Sequence, residues 1–163
     1  MQTNEKDIKD IKKFFNSYSK GFSSIYTEDD QSRSMFNKLI DKWFRKAVYR
    51  RYEITLSETQ KDSINSVLDV GCGPGHHTIA FLHQGKEVTA LDVADEMVDL
   101  TKEKVAKFNS NASCKYIVSD YMTHSFDEQF DAICVMGFFD YVSDPVTVLK
   151  KLLSEARKEI YIS

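Results

Sequence analysis

Glycine is scarce in this chain, six in 163 residues, and proline scarcer, with two. A sequence so poor in backbone breakers is not collagenous, low-complexity or linker-like, and its length suits one domain with one sizeable core. Cysteine is equally sparse. Cys72, Cys114 and Cys134 are odd in number, widely separated and free of any C-x-x-C pair. That excludes a disulfide framework and a zinc-finger spacing, and reads as reduced thiols of a cytoplasmic protein with no metal site. There is no basic block. Net charge is −3 with both signs mixed along the chain, so long-range attraction to nucleic acid is not expected. Long apolar runs are missing too. The longest lies near Ala132 to Phe139, too short for a bilayer span, and the polar start MQTNEKDIKD is unlike a signal peptide.

What is present divides into two patterns. Over residues 1–62, Ile8, Ile11, Phe14, Phe15, Tyr18 and Phe22 recur at three- and four-residue steps, as do Met35, Phe36, Leu39, Ile40, Trp43, Phe44 and Val48. Each set predicts one apolar helical stripe, and Gly21 and Thr27–Ser32 separate the two helices. From residue 63 short apolar runs alternate with helix-period segments. SVLDV, EVTALDV, CKYIVSD, FDAICVM and EIYIS read as strands; HHTIAFLHQ, ADEMVDLTKEKVAKF and DPVTVLKKLLSEA read as helices. Apolar strands alternating with helices predict an α/β fold, a Rossmann-like doubly wound parallel sheet of five strands covered on both faces. Asp144 before Pro145 is a helix start: an acceptor at the N-cap, then a residue whose missing N–H is not needed there.

Half of the glycines stand in one place, Gly71, Gly73 and Gly75, in VLDVGCGPGHH. A strand that runs through a glycine-rich turn into a helix suits a polar or anionic ligand, held by backbone N–H groups and the helix N-terminus. Two cofactor classes fit. A dinucleotide turn wants G-x-G-x-x-G, but the third position here is His76. Asp69, two residues before the first glycine, would repel a pyrophosphate and attract an ammonium group. This tilts the choice towards S-adenosylmethionine. Asp92, at the end of the second strand, can accept from ribose hydroxyls in either case. Asp120, at the end of the third, can accept from an adenine amino group between Met97 and Tyr121. Cys72 reads as a packing residue rather than a nucleophile. His76 and His77 are adjacent on a helix, about 100° apart, and make poor co-ligands for one metal.

VLDVGCGPG, LDVADEM, VSDYMT and FDAICVM, in that order and at these spacings, resemble the class I S-adenosylmethionine-dependent methyltransferases. The N-terminal FFNSYSKGFSSIYTEDD resembles the lead-in helix of the magnesium-protoporphyrin O-methyltransferase group and its bacterial small-molecule relatives. The resemblance implies a methyltransferase acting on a small molecule at oxygen or nitrogen. It implies that Asp69, Gly71, Cys72, Gly73, Gly75 and His76 border the methionine half of S-adenosylmethionine, Asp92 the ribose and Asp120 the adenine. Val93, Met97, Tyr121 and Met136 complete the cofactor site. It also implies an N-terminal lid over residues 1–62, which would bring Tyr18 and Tyr26 to the site, on a cofactor-binding core over residues 63–163.

The chain departs from that family in two places. Asp140, in GFFDYVSDP, stands where the porphyrin group carries a histidine, so Asp140 and then Tyr141 are the candidate bases. The two strands that usually follow the fifth are missing, because the sequence stops at EIYIS. The expectation is a truncated chain with a substrate pocket left unfinished, or a strand-five edge that pairs with a second copy in a homodimer. The competing readings are a non-catalytic binding module and, more weakly, a nucleotide-dependent oxidoreductase.

Overall fold

The computed structural model describes residues 9–14, 16, 49–108 and 113–163. Of the first apolar stripe only Ile11 and Phe14 fall among them. The second stripe, Tyr18 and Tyr26 lie outside. A helix over 49–59 leads into β1 (Ser66–Val70). Then come α1 (His76–His83), β2 (Glu87–Asp92), α2 (Asp95–Phe108), β3 (Cys114–Val118), β4 (Phe130–Val135), a 3₁₀ turn (Phe139–Tyr141), α3 (Pro145–Glu155) and β5 (Ala156–Ile162). The five strands pair in parallel in the order β3-β2-β1-β4-β5. The winding therefore runs outward from β1 to β3, then returns to place β4 on the other side of β1. The crevice at that reversal, at the carboxyl ends of the strands, is where open α/β sheets hold ligands.

Strand alternation sets the two faces. Leu68 and Val70 of β1 join Ile133 and Val135 of β4 against Val148 and Leu152 of α3. The intervening residues Val67, Ala132 and Cys134 meet Phe81 of α1 on the opposite face, and Ala90 meets Val98 of α2 beside them. Phe81, Leu68, Ile133 and Leu152 are fully buried; each side chain contributes about 1.5–3 kcal/mol by leaving water. α3 starts as its sequence predicts: the Asp144 carboxylate accepts from the Thr147 N–H (3.2 Å) and hydroxyl (2.7 Å), with Pro145 following.

β5 differs from expectation. It begins at Ala156, directly after α3, three residues before the apolar EIYIS run. Arg157 and Lys158 break the pattern but have a partner, Asp131, buried near the start of the FDAICV strand. Its carboxylate takes Arg157 at 2.9 Å and Lys158 at 3.0 Å, and accepts from the N–H groups of Asn65 and Ser66. The β4–β5 register slips there, between Phe130 and Ala132. Burial alone would raise the Asp131 pKa; the two N–H donors and two cations outweigh it and hold the group well below the usual carboxylate range. β3 is also less enclosed than an all-apolar run suggests, with Lys115 and Val118 exposed. Among the described residues no helix is long and apolar enough to cross a membrane.

Candidate functional site

All five strands end around one cavity of about 450 Å³. The turn after β1 supplies Gly71, Cys72, Gly73 and Pro74, with Asp69 behind them and His76 and His77 opening α1. From the β2 end come Asp92, Val93 and, one turn into α2, Met97; from the β3 end Ser119, Asp120, Tyr121 and Met122. Met136, Gly137, Phe138, Asp140 and Tyr141 follow β4, and Ser163 follows β5. Ile11, Arg51 and Tyr52 close the cavity from the helical segments before β1. Every described site residue expected from the sequence lines this cavity except Gly75.

Gly75 stands behind the cavity rather than on its wall. It holds φ +78°, and a Cβ there would stand 2.7 Å from the buried Thr101 side chain. Its smallness lets α1 pack on α2. This is the part played by the third glycine of a dinucleotide turn, taken up one residue early. Gly73, at φ +52°, has no protein atom within 4 Å of the corresponding position and borders the cavity.

The turn is also not the donor cradle that its glycines suggest. Gly71 and Cys72 both give their N–H groups to the Leu91 carbonyl (2.8 and 3.0 Å), Gly73 gives its own to the Asp92 carboxylate (2.9 Å), and Gly75 to the Cys72 carbonyl (3.0 Å). Residue 74 is proline and has none. The carbonyls are held as well. The Thr101 hydroxyl donates to Gly73 (2.8 Å) and the Lys104 ammonium to Pro74 (2.9 Å), so α2 grips the turn from behind. Neither contact has a local sequence signal, because the partners are about 30 residues apart.

The acids differ in their surroundings. Asp69 is fully enclosed, and burial pushes its pKa up to about 6 in spite of hydrogen bonds from the Thr78 hydroxyl (2.6 Å) and N–H. Asp92 is raised by burial too, while the Ala94 and Gly73 N–H groups favour its ionised form. One oxygen accepts from the Ala94 N–H (2.9 Å) and the other from the Gly73 N–H (2.9 Å). Asp120 accepts from the Met122 N–H at 3.0 Å. Tyr121 is buried, its hydroxyl bonded to Glu155 at 2.7 Å, so it presents its ring to the cavity. Asp140 and Tyr141 are exposed at the rim.

Burial lowers His76 and His77 to about 4, so both are neutral near pH 7. The Tyr52 ring packs edge-on against His77, centroids 5.0 Å apart. Burial also drives the Cys72 thiol far above its ordinary pKa, with Asp69 and Asp92 adding to the rise, which removes any nucleophilic thiolate. Among the described residues no group of three or more His, Cys, Asp or Glu could hold a metal ion.

Known proteins agree with this architecture. Over 110 residues the chain is 27% identical to a probable cobalt-precorrin-6B C(15)-methyltransferase (decarboxylating) of Thermoplasma acidophilum, covering 66% of this chain and 54% of that one. Over 95 residues it is 35% identical to the ubiquinone biosynthesis O-methyltransferase of Xanthomonas campestris pv. campestris, covering 54% and 37%. The chain thus spans about half the length of the first and little more than a third of the second. In structure it resembles magnesium protoporphyrin IX methyltransferase from Synechocystis PCC 6803, with a TM-score of 0.76 at 16% identity, over 96% of this chain and 75% of that one. Residues 67–158, more than half of the chain, match the family described as Methyltransferase domain, and the chain belongs to that family.

Proposed function

We propose that the protein is an S-adenosylmethionine-dependent methyltransferase acting on a small-molecule acceptor at oxygen or nitrogen. One observation carries this reading: three carboxylates from three successive strand ends face a cavity whose glycine turn has no N–H left for a phosphate. A pyrophosphate would meet Asp69 and Asp92 with no compensating donor from residues 71–75. S-adenosylmethionine, a cation with a ribose and an adenine and no phosphate, fits that donor set. Asp69 would face its ammonium group, Asp92 would accept from the ribose hydroxyls, and Asp120 would accept from the adenine amino group between Met97 and Tyr121.

When bound, the cofactor supplies an activated methyl group, and the remaining work falls to the protein. The turn, Met136 and His76 fix the position of the reacting end, and the cavity walls exclude water from it. Asp140 at the rim would take the acceptor's proton, with Tyr141 beside it; a positioned base of this kind contributes about 10²–10⁴-fold. Absence of a basic surface block favours a small acceptor over a nucleic acid, and three free thiols favour a cytoplasmic setting. The outer edge of β5, which among the described residues pairs only with β4, is the surface through which two copies would associate. Titration calorimetry with S-adenosylmethionine, S-adenosylhomocysteine and NAD tests the reading. Binding of the first two and not the third is expected; the reverse order overturns it.

A further inference from the structure

The two residues proposed to meet the base, Asp120 and Tyr121, are neighbours in one short turn after β3. The Asp120 carbonyl accepts from the N–H groups of Thr123 (3.2 Å) and His124 (3.0 Å), and its carboxylate accepts from that of Met122 (3.0 Å). These bonds tie residues 120–124 into one unit. Two side chains of α3, one helical turn apart, hold that unit. The Tyr121 hydroxyl donates to one oxygen of Glu155 at 2.7 Å. The Lys151 ammonium donates to the other oxygen at 2.5 Å and to the His124 carbonyl at 2.7 Å. The same ammonium stands over the Tyr121 ring, 5.1 Å from its centroid. The turn is thus fastened at Tyr121 and again at His124.

Neither Lys151 nor Glu155 lines the cavity. Their side chains are 18% and 12% exposed, so both charges sit largely out of water. A pair so placed adds little net stability, because desolvation offsets much of the attraction. What it does fix is geometry, and here that geometry is of the cavity wall. Tyr121 is buried, its ring stands perpendicular to that of Phe138 at 6.1 Å, and its hydroxyl is tied to Glu155. A ring held at its far end cannot tilt or slide. Asp120, one residue back in the same turn, is held with it.

We infer that Glu155, with Lys151, is a positioning residue for the base: the pair fixes Tyr121 and Asp120 so that the cavity distinguishes adenine from other purines. This assignment rests on the S-adenosylmethionine reading. It makes base recognition depend on α3, none of whose residues lines the cavity.

Calorimetry with two ligands that differ only at the base tests this. S-inosylhomocysteine is S-adenosylhomocysteine with hypoxanthine for adenine, an oxo group where adenine has the amino group that Asp120 would accept from. The wild type should prefer S-adenosylhomocysteine. Glu155→Leu should weaken it about 10-fold, the loss of one hydrogen bond to a charged group, and leave S-inosylhomocysteine unchanged, so that the preference collapses. Glu155→Gln, which keeps an acceptor for the Tyr121 hydroxyl, should fall between. Tyr121→Phe removes only the hydroxyl link and should reproduce the loss, and it decides the matter should the leucine variant not fold. Adding Glu155→Leu to Tyr121→Phe should weaken S-adenosylhomocysteine no further, because the two act through one contact. Equal weakening of both ligands would mean that Glu155 acts through the fold at large. An undiminished preference would mean that the turn is held without it. Either overturns the assignment. A wild type that binds both ligands equally would remove the Asp120 contact with the base, and the assignment with it. If the wild type binds neither, the cofactor reading itself fails.

Discussion

Gly75 and Gly73 look alike in the sequence and should behave oppositely when each is replaced by alanine. Both hold positive φ, which costs an alanine about 1–2 kcal/mol. Gly73→Ala adds nothing further, because no protein atom lies within 4 Å of the new methyl group. Gly75→Ala places its methyl group 2.7 Å from both Cγ2 and Oγ1 of Thr101, which is fully buried and cannot swing away. Forcing that repacking costs about 1–3 kcal/mol more. The totals are about 1–2 kcal/mol at residue 73 and about 2–5 kcal/mol at residue 75, or Tm losses of about 5 °C and about 10 °C for a chain of this size. Urea and thermal unfolding of the two variants give the comparison directly. Calorimetry with S-adenosylhomocysteine should rank them the other way, because the Gly73 methyl group projects at the cavity and the Gly75 methyl group into the α1–α2 contact. A cycle with Thr101→Ala adds a third reading. Gly75→Ala should cost less in that background, with a coupling of about 1–2 kcal/mol. Equal stability losses at the two glycines, together with strict additivity in the cycle, would refute the division of labour within the turn.

If Asp92 takes the ribose as proposed, Asp92→Asn should weaken S-adenosylhomocysteine about 10–100-fold by calorimetry, and the Gly73 N–H also depends on its carboxylate. The lowered histidines predict a stability slope with pH. His77 is held neutral in the fold, so its contribution is complete above about 6.5 and is lost as pH falls towards about 4, amounting to about 1–3 kcal/mol. Tm measured from pH 7 to pH 5 should fall less steeply in His77→Phe than in the wild type; parallel curves would mean the imidazole is not buried as described. Asp131→Asn weakens the acceptor for the Asn65 and Ser66 N–H groups and should cost about 1–3 kcal/mol in urea unfolding, while Arg157 and Lys158, 51% and 39% exposed, can turn to water.

The sheet was legible because its inner strands are apolar on both faces, so β1, β2 and β4 announce themselves as short runs. The start of β5 was not, because Arg157 and Lys158 satisfy an acid on the neighbouring strand, and a one-dimensional pattern shows two exposed cations. Asp131 was hidden for the same reason inside FDAICV. The cavity acids were legible because each lies at or near the carboxyl end of a strand, and strand ends converge in a parallel sheet. Arg51 was not: it precedes the first strand on a helix with other charged residues, and nothing local marks it as the one that turns to the cavity. That Gly75 faces Thr101 was not legible, because spacing counts glycines without showing what each one faces. Thr101 and Lys104 reach the turn only after α2 has packed, and that contact has no footprint along the chain.

The self-contained hydrogen bonding of residues 71–75 has a consequence for how the protein meets its ligand. A loop whose amides and carbonyls are already engaged by Leu91, Asp92, Thr101 and Lys104 keeps its shape in solvent. The floor of the cavity is preorganised, so a ligand pays little ordering entropy there. The amides of Gly71, Cys72, Gly73 and Gly75 should exchange with deuterium slowly before anything binds, as core amides do. Arg51 and Asp140 border the same cavity from outside this hydrogen-bonded turn, so the floor of the cavity is fixed independently of them.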